Sequence, residues 1–347
     1  MESKYLRGEI MIYTLQNYIV NMLRIANRQT TSKIRSQMVL AIIAACLFST
    51  SVLAHPGSGI AVDARGDVYF VDTGSGLWKM DTLGKLTQLT TTRYHWLTLD
   101  IKNVFATTRL PTDPAGDWQI TNIGTNPTVL IAAEWPIAIS EKGTLYFQSG
   151  LPGALRIMQT LPSGRTSVFA TLPKTTSGSP LPHINGITVA PDGSVYYTEN
   201  GSIRRINAKG EVSIAATVPA LVNGPTMPGL SADAHPFLRG LTVDALGVMY
   251  VAAVGDGLLL KITPNGKVTT LFQTDMPWAP TAVALFGSDV YALEYSHTAR
   301  DNRLDWMPRI RKITPDGKST IILTVDQMPG ARPKPVTEVV GSGAGTS

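Results

Sequence analysis

Cysteine is almost absent: Cys46 is the only one in 347 residues. No intramolecular disulfide can form, so the fold must be held by burial of apolar surface. Charged residues are sparse at 16% and aromatics stand at 7%, a balance that fits a globular domain and excludes a disordered, highly charged chain. The catalytic signatures a sequence can display outright are missing as well. There is no G-x-S-x-G, no H-E-x-x-H, no phosphate-binding glycine loop and, beyond residue 54, no thiol nucleophile. Basic excess is missing from most of the chain too. Of the formal charge of +5, residues 1–37 hold +4, with Lys4, Arg7, Arg24, Arg28, Lys33 and Arg35 set against Glu2 and Glu9. From His55 onward 24 basic residues face 23 acidic ones, which leaves no electrostatic case for a nucleic-acid partner.

What the chain has in quantity is a repeat. GIAVDARGDVYFVDTGSGLWKMDTLGKLTQLT, residues 59–90, reads as four short strands. Gly59–Val62, Val68–Val71 and Leu77–Met80 are apolar and β-branched, Leu86–Leu89 is a weaker fourth, and Gly, Asp or Thr closes each one. The first half recurs as WLTLDIKNVFA at Trp96, PIAISEKGTLYF at Pro136, GITVAPDGSVYY at Gly186, GLTVDALGVMYV at Gly240 and AVALFGSDVYAL at Ala282, six copies in all. The turn before the last strand recurs in register as DTLGK, LPSGR, NAKGE, TPNGK and TPDGK, near Gly84, Gly164, Gly210, Gly266 and Gly317. The second copy offers only GTNPT at Gly124 and is the most diverged. Four-stranded units repeating every 40–50 residues or so are the signature of a β-propeller. The fold class expected is therefore all-β, a six-bladed propeller with four antiparallel strands per blade. Strands apolar on nearly every residue fit blades packed face to face, with both faces buried.

The repeats define one domain over 55–331. Ahead of it, Lys33-Ile34-Arg35 precedes the apolar run Met38–Phe48, then Ser49-Thr50-Ser51 and Val52-Leu53-Ala54. This is the pattern of a secretory signal peptide over 38–54, cleaved near Ala54, and the run falls short of the roughly 20 residues a membrane span needs. The expected location is exported, periplasmic or secreted, and a monomer is expected. Residues 1–37 are too long for an ordinary basic leader, so Met22 or Met38 is a rival start, the other reading being a long cytoplasmic tail. Ile43-Ala44-Ala45-Cys46 resembles a lipobox, which makes a lipid anchor at Cys46 the alternative to soluble export. The Gly/Ser-rich tail, 332–347, reads as flexible.

A propeller has two faces. The first-to-second-strand turns, DARGD, SEKGT, APDGS and DALGV, are tight hairpins. The opposite face carries the insertions Arg109–Asp117, Pro173–Ile184, Pro219–Leu238 and Tyr295–Pro308. Long loops on a rigid scaffold are where binding and catalysis concentrate, so this is the expected functional face. The residues ahead of the first strands, Ser58, His95, Trp135, Asn185, Arg239 and Thr281, should form an inner ring there. Those ending the second strands, Asp72, Thr108, Ser149, Glu199, Ala253 and Glu294, should form an outer one. A guanidinium, an amide, an imidazole and aromatic faces around one opening suit a small polar or anionic ligand. His95, His183, Glu199 and Glu294 are the candidate acids and bases. Each has a plain structural alternative: a satisfied core histidine, a strand-end carboxylate bonded to backbone, or a Glu199–Arg239 bridge. Trp278 and Trp306 would serve a carbohydrate-like ligand if exposed.

The repeat GIAVDARGDVYFVDTGSGLWKMD resembles an NHL repeat, and HINGITVAPDGSVYYTEN resembles the corresponding stretch of the senescence-marker-protein/gluconolactonase/luciferin-regenerating family. The resemblance covers about Pro56 to Val325 and implies the six-bladed fold. It also implies a divalent cation such as calcium on a Glu, an Asn and an Asp. Here Asn185 matches the Asn, while Ser58 stands at the Glu position and Arg239 at the Asp position, so no cofactor is expected. The leading expectation is an exported binding module for a small molecule or a partner protein. The alternative is a gluconolactonase-like hydrolase of lactones or esters with an atypical metal or a metal-free His/Glu site.

Overall fold

The computed structural model describes residues 56–328 apart from 112–119, 125–128, 152–153, 174–183, 222–226, 228–235 and 298–305. The leader, Cys46, His183, the 332–347 tail and most of the four insertions lie outside the described residues.

Within them the chain is all-β, arranged as six blades around an axis. Blade one comprises β1 (Ile60–Val62), β2 (Val68–Asp72), β3 (Gly76–Met80) and β4 (Leu86–Thr90), an antiparallel meander in sequence order. Blade two holds β5 (Trp96–Asp100), β6 (Ile120–Asn122) and β7 (Val129–Ala133). Blade three runs through β8 (Ile137–Ile139), β9 (Leu145–Leu151), β10 (Ala154–Thr160) and β11 (Thr166–Thr171). Blade four has β12 (Gly186–Val189), β13 (Val195–Glu199), β14 (Ser202–Ile206) and β15 (Val212–Thr217). Blade five has β16 (Leu238–Val243), β17 (Met249–Ala253), β18 (Leu258–Ile262) and β19 (Val268–Gln273). Blade six has β20 (Trp278–Phe286), β21 (Asp289–Ser296), β22 (Pro308–Ile313) and β23 (Ser319–Thr324). The innermost strands touch in the order β1, β5, β8, β12, β16, β20, and β20 returns to β1.

The apolar clusters sit between blades, as strands buried on both faces require. Leu155, Ile157, Tyr146 and Ala138 of blade three pack on Ile187, Val195, Tyr197 and Ile206 of blade four. Ile203 and Ala216 of blade four meet Leu241, Val251, Leu258 and Leu260 of blade five. Burying one such aliphatic side chain contributes about 1.5–3 kcal/mol, so stability belongs to the ring. The glycines that open the inner strands follow from the crowding at the axis. A Cβ on Gly186 would lie 2.6 Å from the Arg239 carbonyl oxygen, and one on Gly240 2.7 Å from the Ala282 Cα.

The second blade departs from the repeat. Asn103–Ala106 fits the second-strand pattern, yet Val104–Ala106 is a 3₁₀ turn entered through Asn103 at φ 53°. Phe105 is buried there with its N–H on Asp100 Oδ2 at 2.6 Å and its carbonyl oxygen accepting from Asn122 Nδ2. The second-strand place goes instead to the fully buried β7, whose Ala133 pairs with Trp96, and β6 lies outside it. Thr108 therefore does not end a second strand. Among the described residues this blade has three strands in the order β5-β7-β6.

Each blade is a contiguous run of chain, so the first and last blades share no strand. The ring is closed from the side: Thr281 Oγ1 donates to the Gly57 carbonyl oxygen and the Tyr295 hydroxyl to that of Val71, both at 2.7 Å.

Candidate functional site

The residues ahead of the inner strands gather at one end of the axis, held by backbone bonds from blade to blade. Ser58 N–H donates to the His95 carbonyl at 2.7 Å, His95 N–H to that of Ala133 at 3.2 Å, and Thr198 Oγ1 to that of Arg239 at 2.8 Å. In a six-membered ring the first blade faces the fourth and the second faces the fifth. Ser58 and Asn185 thus stand across the axis from one another. Trp96 and Arg239 do the same on a second diameter, and the guanidinium lies 5.9 Å from the indole ring. Ser58, His95, Trp96, Asn185, Arg239 and Thr281 are all buried, whereas Trp135 is exposed. Below them runs a channel of about 270 Å³, lined by the inner strands of all six blades with Ser58 and Trp96 at its head.

Two β-bulges shape this end. Leu238 pairs with Ala253 and Leu241 with Val251, so Arg239 and Gly240 together oppose one residue. Thr281 is likewise the extra residue between Pro280 and Ala282. The first strands of the other four blades enter without such a shift. A bulge re-aims side chains, and here it bends β16 at its only arginine. Upstream, Phe237 adopts φ 43°, a conformation costly for a bulky residue. It is imposed from both sides, by Val254 N–H on the Phe237 carbonyl and by Leu238 N–H on that of Asn200.

The electrostatics at this end are set first by burial. Burial pushes the Arg239 pKa down to about 10. His297, one residue past β21, has its pKa lowered to about 4, first by burial and then by the charge of Arg239, so it is a neutral imidazole at pH 7. Its backbone N–H donates to the Pro277 carbonyl at 2.7 Å. Polar atoms at this end, Ser58 Oγ, Asn185 Nδ2 and His297 Nε2 among them, are buried with no hydrogen-bond partner among the described residues. A buried polar atom left so costs about 1–3 kcal/mol, and polar groups that serve only a fold are seldom kept that way.

The candidate carboxylates are engaged elsewhere. Glu199 accepts from Arg204 Nε at 3.0 Å. Glu294, wholly buried, takes Arg309 Nε on one oxygen and Arg311 Nε on the other, the latter at 2.6 Å. Those arginines stack on Trp278 and Phe272, at 4.1 and 3.9 Å from the ring centroids. Asp72 Oδ1 caps the turn at Gly74. His95 Nδ1 meets Glu134, and its ring lies 5.9 Å from that of Trp96. Trp306 is buried as a loop core, and Trp278 is half-buried under Arg309. His183 lies outside the described residues.

A divalent cation does not fit the ring. A hydroxyl, an amide and a guanidinium present no anionic oxygen to a hard divalent ion. Among the described residues no three His, Cys, Asp or Glu side chains come together as metal ligands. His297 is the site residue the sequence did not single out. Its one signal was a place in the last insertion, beside the predicted second-strand end.

Fold and site together define a six-bladed β-propeller with a polar, cationic centre at its long-loop end. No family model matches the chain, and no curated protein matches it. Solved structures similar to it include a streptogramin B lyase, 17% identical over 79% of this chain and 85% of that one, with a TM-score of 0.44. A calcium-binding protein, regucalcin, from Agrobacterium tumefaciens is 15% identical over 71% and 83%, with a TM-score of 0.48. A putative gluconolactonase is 17% identical over 69% and 87%, with a TM-score of 0.42. These are distant likenesses, and the chemistry of the site rests on its own residues.

Proposed function

We propose that the protein is an exported binding module for a small, hydrogen-bonding, preferably anionic ligand held at the axis on the long-loop face. The observation that carries this reading is that Ser58 Oγ and Asn185 Nδ2, buried and without partners, stand just ahead of the inner strands of facing blades. A ligand with several oxygens satisfies such atoms, and the guanidinium of Arg239 favours an acid over a neutral molecule. Hydrolysis of a lactone or ester, the alternative, needs a free general base on this face. The engagement of Glu199 with Arg204 and of Glu294 with two arginines weighs against these carboxylates in that role.

The test is a thermal-shift screen of small hydroxylated acids and sugars on the full chain. Any ligand found is then titrated against Ser58→Ala and Asn185→Ala. Each substitution is expected to weaken binding about tenfold, the worth of one hydrogen bond to a buried group. A ligand whose affinity neither substitution changes would sink the reading.

A further inference from the structure

Leu83 and Leu246 are the most exposed large apolar side chains among the described residues, at 91% and 81%, and both stand on turns of the tight-turn end. The repeats show that neither turn asks for a leucine. At the place of Leu83, just before the glycine of the last turn, other blades carry Ser163, Lys209, Asn265 and Asp316. At the place of Leu246 they carry Arg65, Lys102, Lys142 and Asp192. What shapes these turns is backbone held by an acid. Asp81 Oδ1 accepts from the N–H groups of Leu83 and Lys85, and Asp244 Oδ1 from those of Leu246 and Val248. The leucine side chains add nothing to that.

The apolar tips form one arc. Leu246 is on blade five and Leu83 on blade one. Between them Phe286 of blade six lies against blade one, 3.4 Å from where a Cβ on Gly66 would stand, with Thr82 at 3.3 Å from the same point. Ile101, 62% exposed, continues the arc on blade two. On the described turns of blades three and four no large apolar side chain is exposed. The arc also carries cations. Lys85, Lys102, Lys267 and Lys318 are exposed with no ion pair among the described residues, whereas Lys79 and Lys312, set back in the third strands, pair with Asp67 and Asp289 at 2.7 Å. The acids of the same turns are held against backbone, Asp81 and Asp244 as above and Asp316 by the Lys318 N–H. Ammonium groups on long stems therefore reach past the carboxylates.

The last turns stand clear of their surroundings: a Cβ on Gly84, Gly266 or Gly317 would meet nothing within 4 Å. Leucines on separate projecting turns, with lysines among them, match a bilayer, where apolar tips enter between headgroups and phosphates take the cations. We propose that the tight-turn face docks on an anionic phospholipid surface through Leu83 and Leu246, with Lys85, Lys102, Lys267 and Lys318 on the phosphates. Docked in this way, the ring turns its long-loop end away from the lipid.

The test is co-sedimentation of the full chain with vesicles of equimolar phosphatidylcholine and phosphatidylglycerol. The apolar run Met38–Phe48 is common to every variant, so differences between variants read the tips. Leu83→Ser and Leu246→Ser should each weaken binding about tenfold, the share of one leucine side chain withdrawn from water. Lys85→Gln and Lys267→Gln should each weaken it about fivefold on these vesicles and have no effect on pure phosphatidylcholine. Ile214→Ser, an exposed aliphatic on the outer strand of blade four, should change nothing. A wild type that does not sediment with the vesicles overturns the proposal. So does a Leu83→Ser/Leu246→Ser variant that binds like the wild type, or an equal loss with Ile214→Ser. Self-association of the wild type that this double variant abolishes, without vesicle binding, gives the face to a second copy of the chain and overturns the lipid reading.

Discussion

The two ends of the ring use polar residues in opposite ways. At the tight-turn end the acidic and amide side chains that open the hairpins work within their own blades. Asp63 Oδ1 accepts from the N–H groups of Arg65 and Asp67, and its other oxygen meets the Tyr69 hydroxyl at 3.2 Å. Asp244 repeats the arrangement in blade five with Leu246, Val248 and Tyr250, and Asn207 does so with Lys209 and Glu211. The glycine closing such a turn, Gly193 for example, sits at φ 83° with open space where a Cβ would go. It is there for the backbone conformation alone. At the long-loop end the polar atoms are more deeply buried and less satisfied. The hairpin acids of the tight-turn end are saturated because they hold the turns, whereas Ser58 Oγ and Asn185 Nδ2 at the other end are left without partners.

The sharpest way to break this comparison is at Glu294, a carboxylate of the long-loop end that is nonetheless saturated. Glu294→Gln strands two buried guanidiniums and is expected to destabilise the protein by about 3–5 kcal/mol, read as the shift of the denaturation midpoint. A loss below about 1 kcal/mol would mean that saturation is no guide to structural roles.

Next in size is a pH effect at His297. Its folded pKa of about 4 lies below the reference value of 6.5, so between these values the unfolded chain binds the extra proton. The stability it contributes is complete above pH 6.5 and lost as pH falls towards 4, by about 3 kcal/mol. Urea unfolding at pH 7 and pH 4.5 should show a larger drop for the wild type than for His297→Phe. Parallel drops would place the imidazole in contact with solvent.

The smallest effect is a contrast. Asp63→Ala removes an acceptor that Arg65, Asp67 and Tyr69 use through five donors and should cost about 1–2 kcal/mol. Asn185→Ala removes an amide nitrogen without a partner and should change stability by less than about 0.5 kcal/mol. If the alanine at 185 proves the more destabilising of the two, the division between the ends fails.

The blades were legible because two landmarks recur in register: the G-I/L-x-V opening of the first strand and the x-x-G-K turn before the last. Both have local physical causes, the crowding that excludes a Cβ at Gly186 and Gly240 and the positive φ of the turn glycines. Blade two was misread because its second-strand place is filled across an insertion by Val129–Ala133. Asn103–Ala106, which has the composition of a strand, is drawn into a turn by Asp100. Local pattern cannot show which of two apolar runs reaches the sheet. At the site, repeat register brought Ser58, Asn185 and Arg239 to one opening. It could not reach His297, because that residue has no counterpart in the other units, nor the bulges that place Arg239 and Thr281. Trp135 stands exposed between β7 and β8, and the indole that lies 5.9 Å from the Arg239 guanidinium is that of Trp96, read as the first residue of a strand.

The sideways closure has a mechanical corollary. Five of the six junctions between blades are crossed by covalent chain, and the sixth is bridged by the Thr281 and Tyr295 hydrogen bonds and by packing of β20 on β1. That junction is the one line along which the ring can part without cutting the chain or unzipping a sheet. Tension applied through the two ends would load it first, and with it the Tyr295–His297 segment, so the most easily opened seam of the ring runs through its long-loop end.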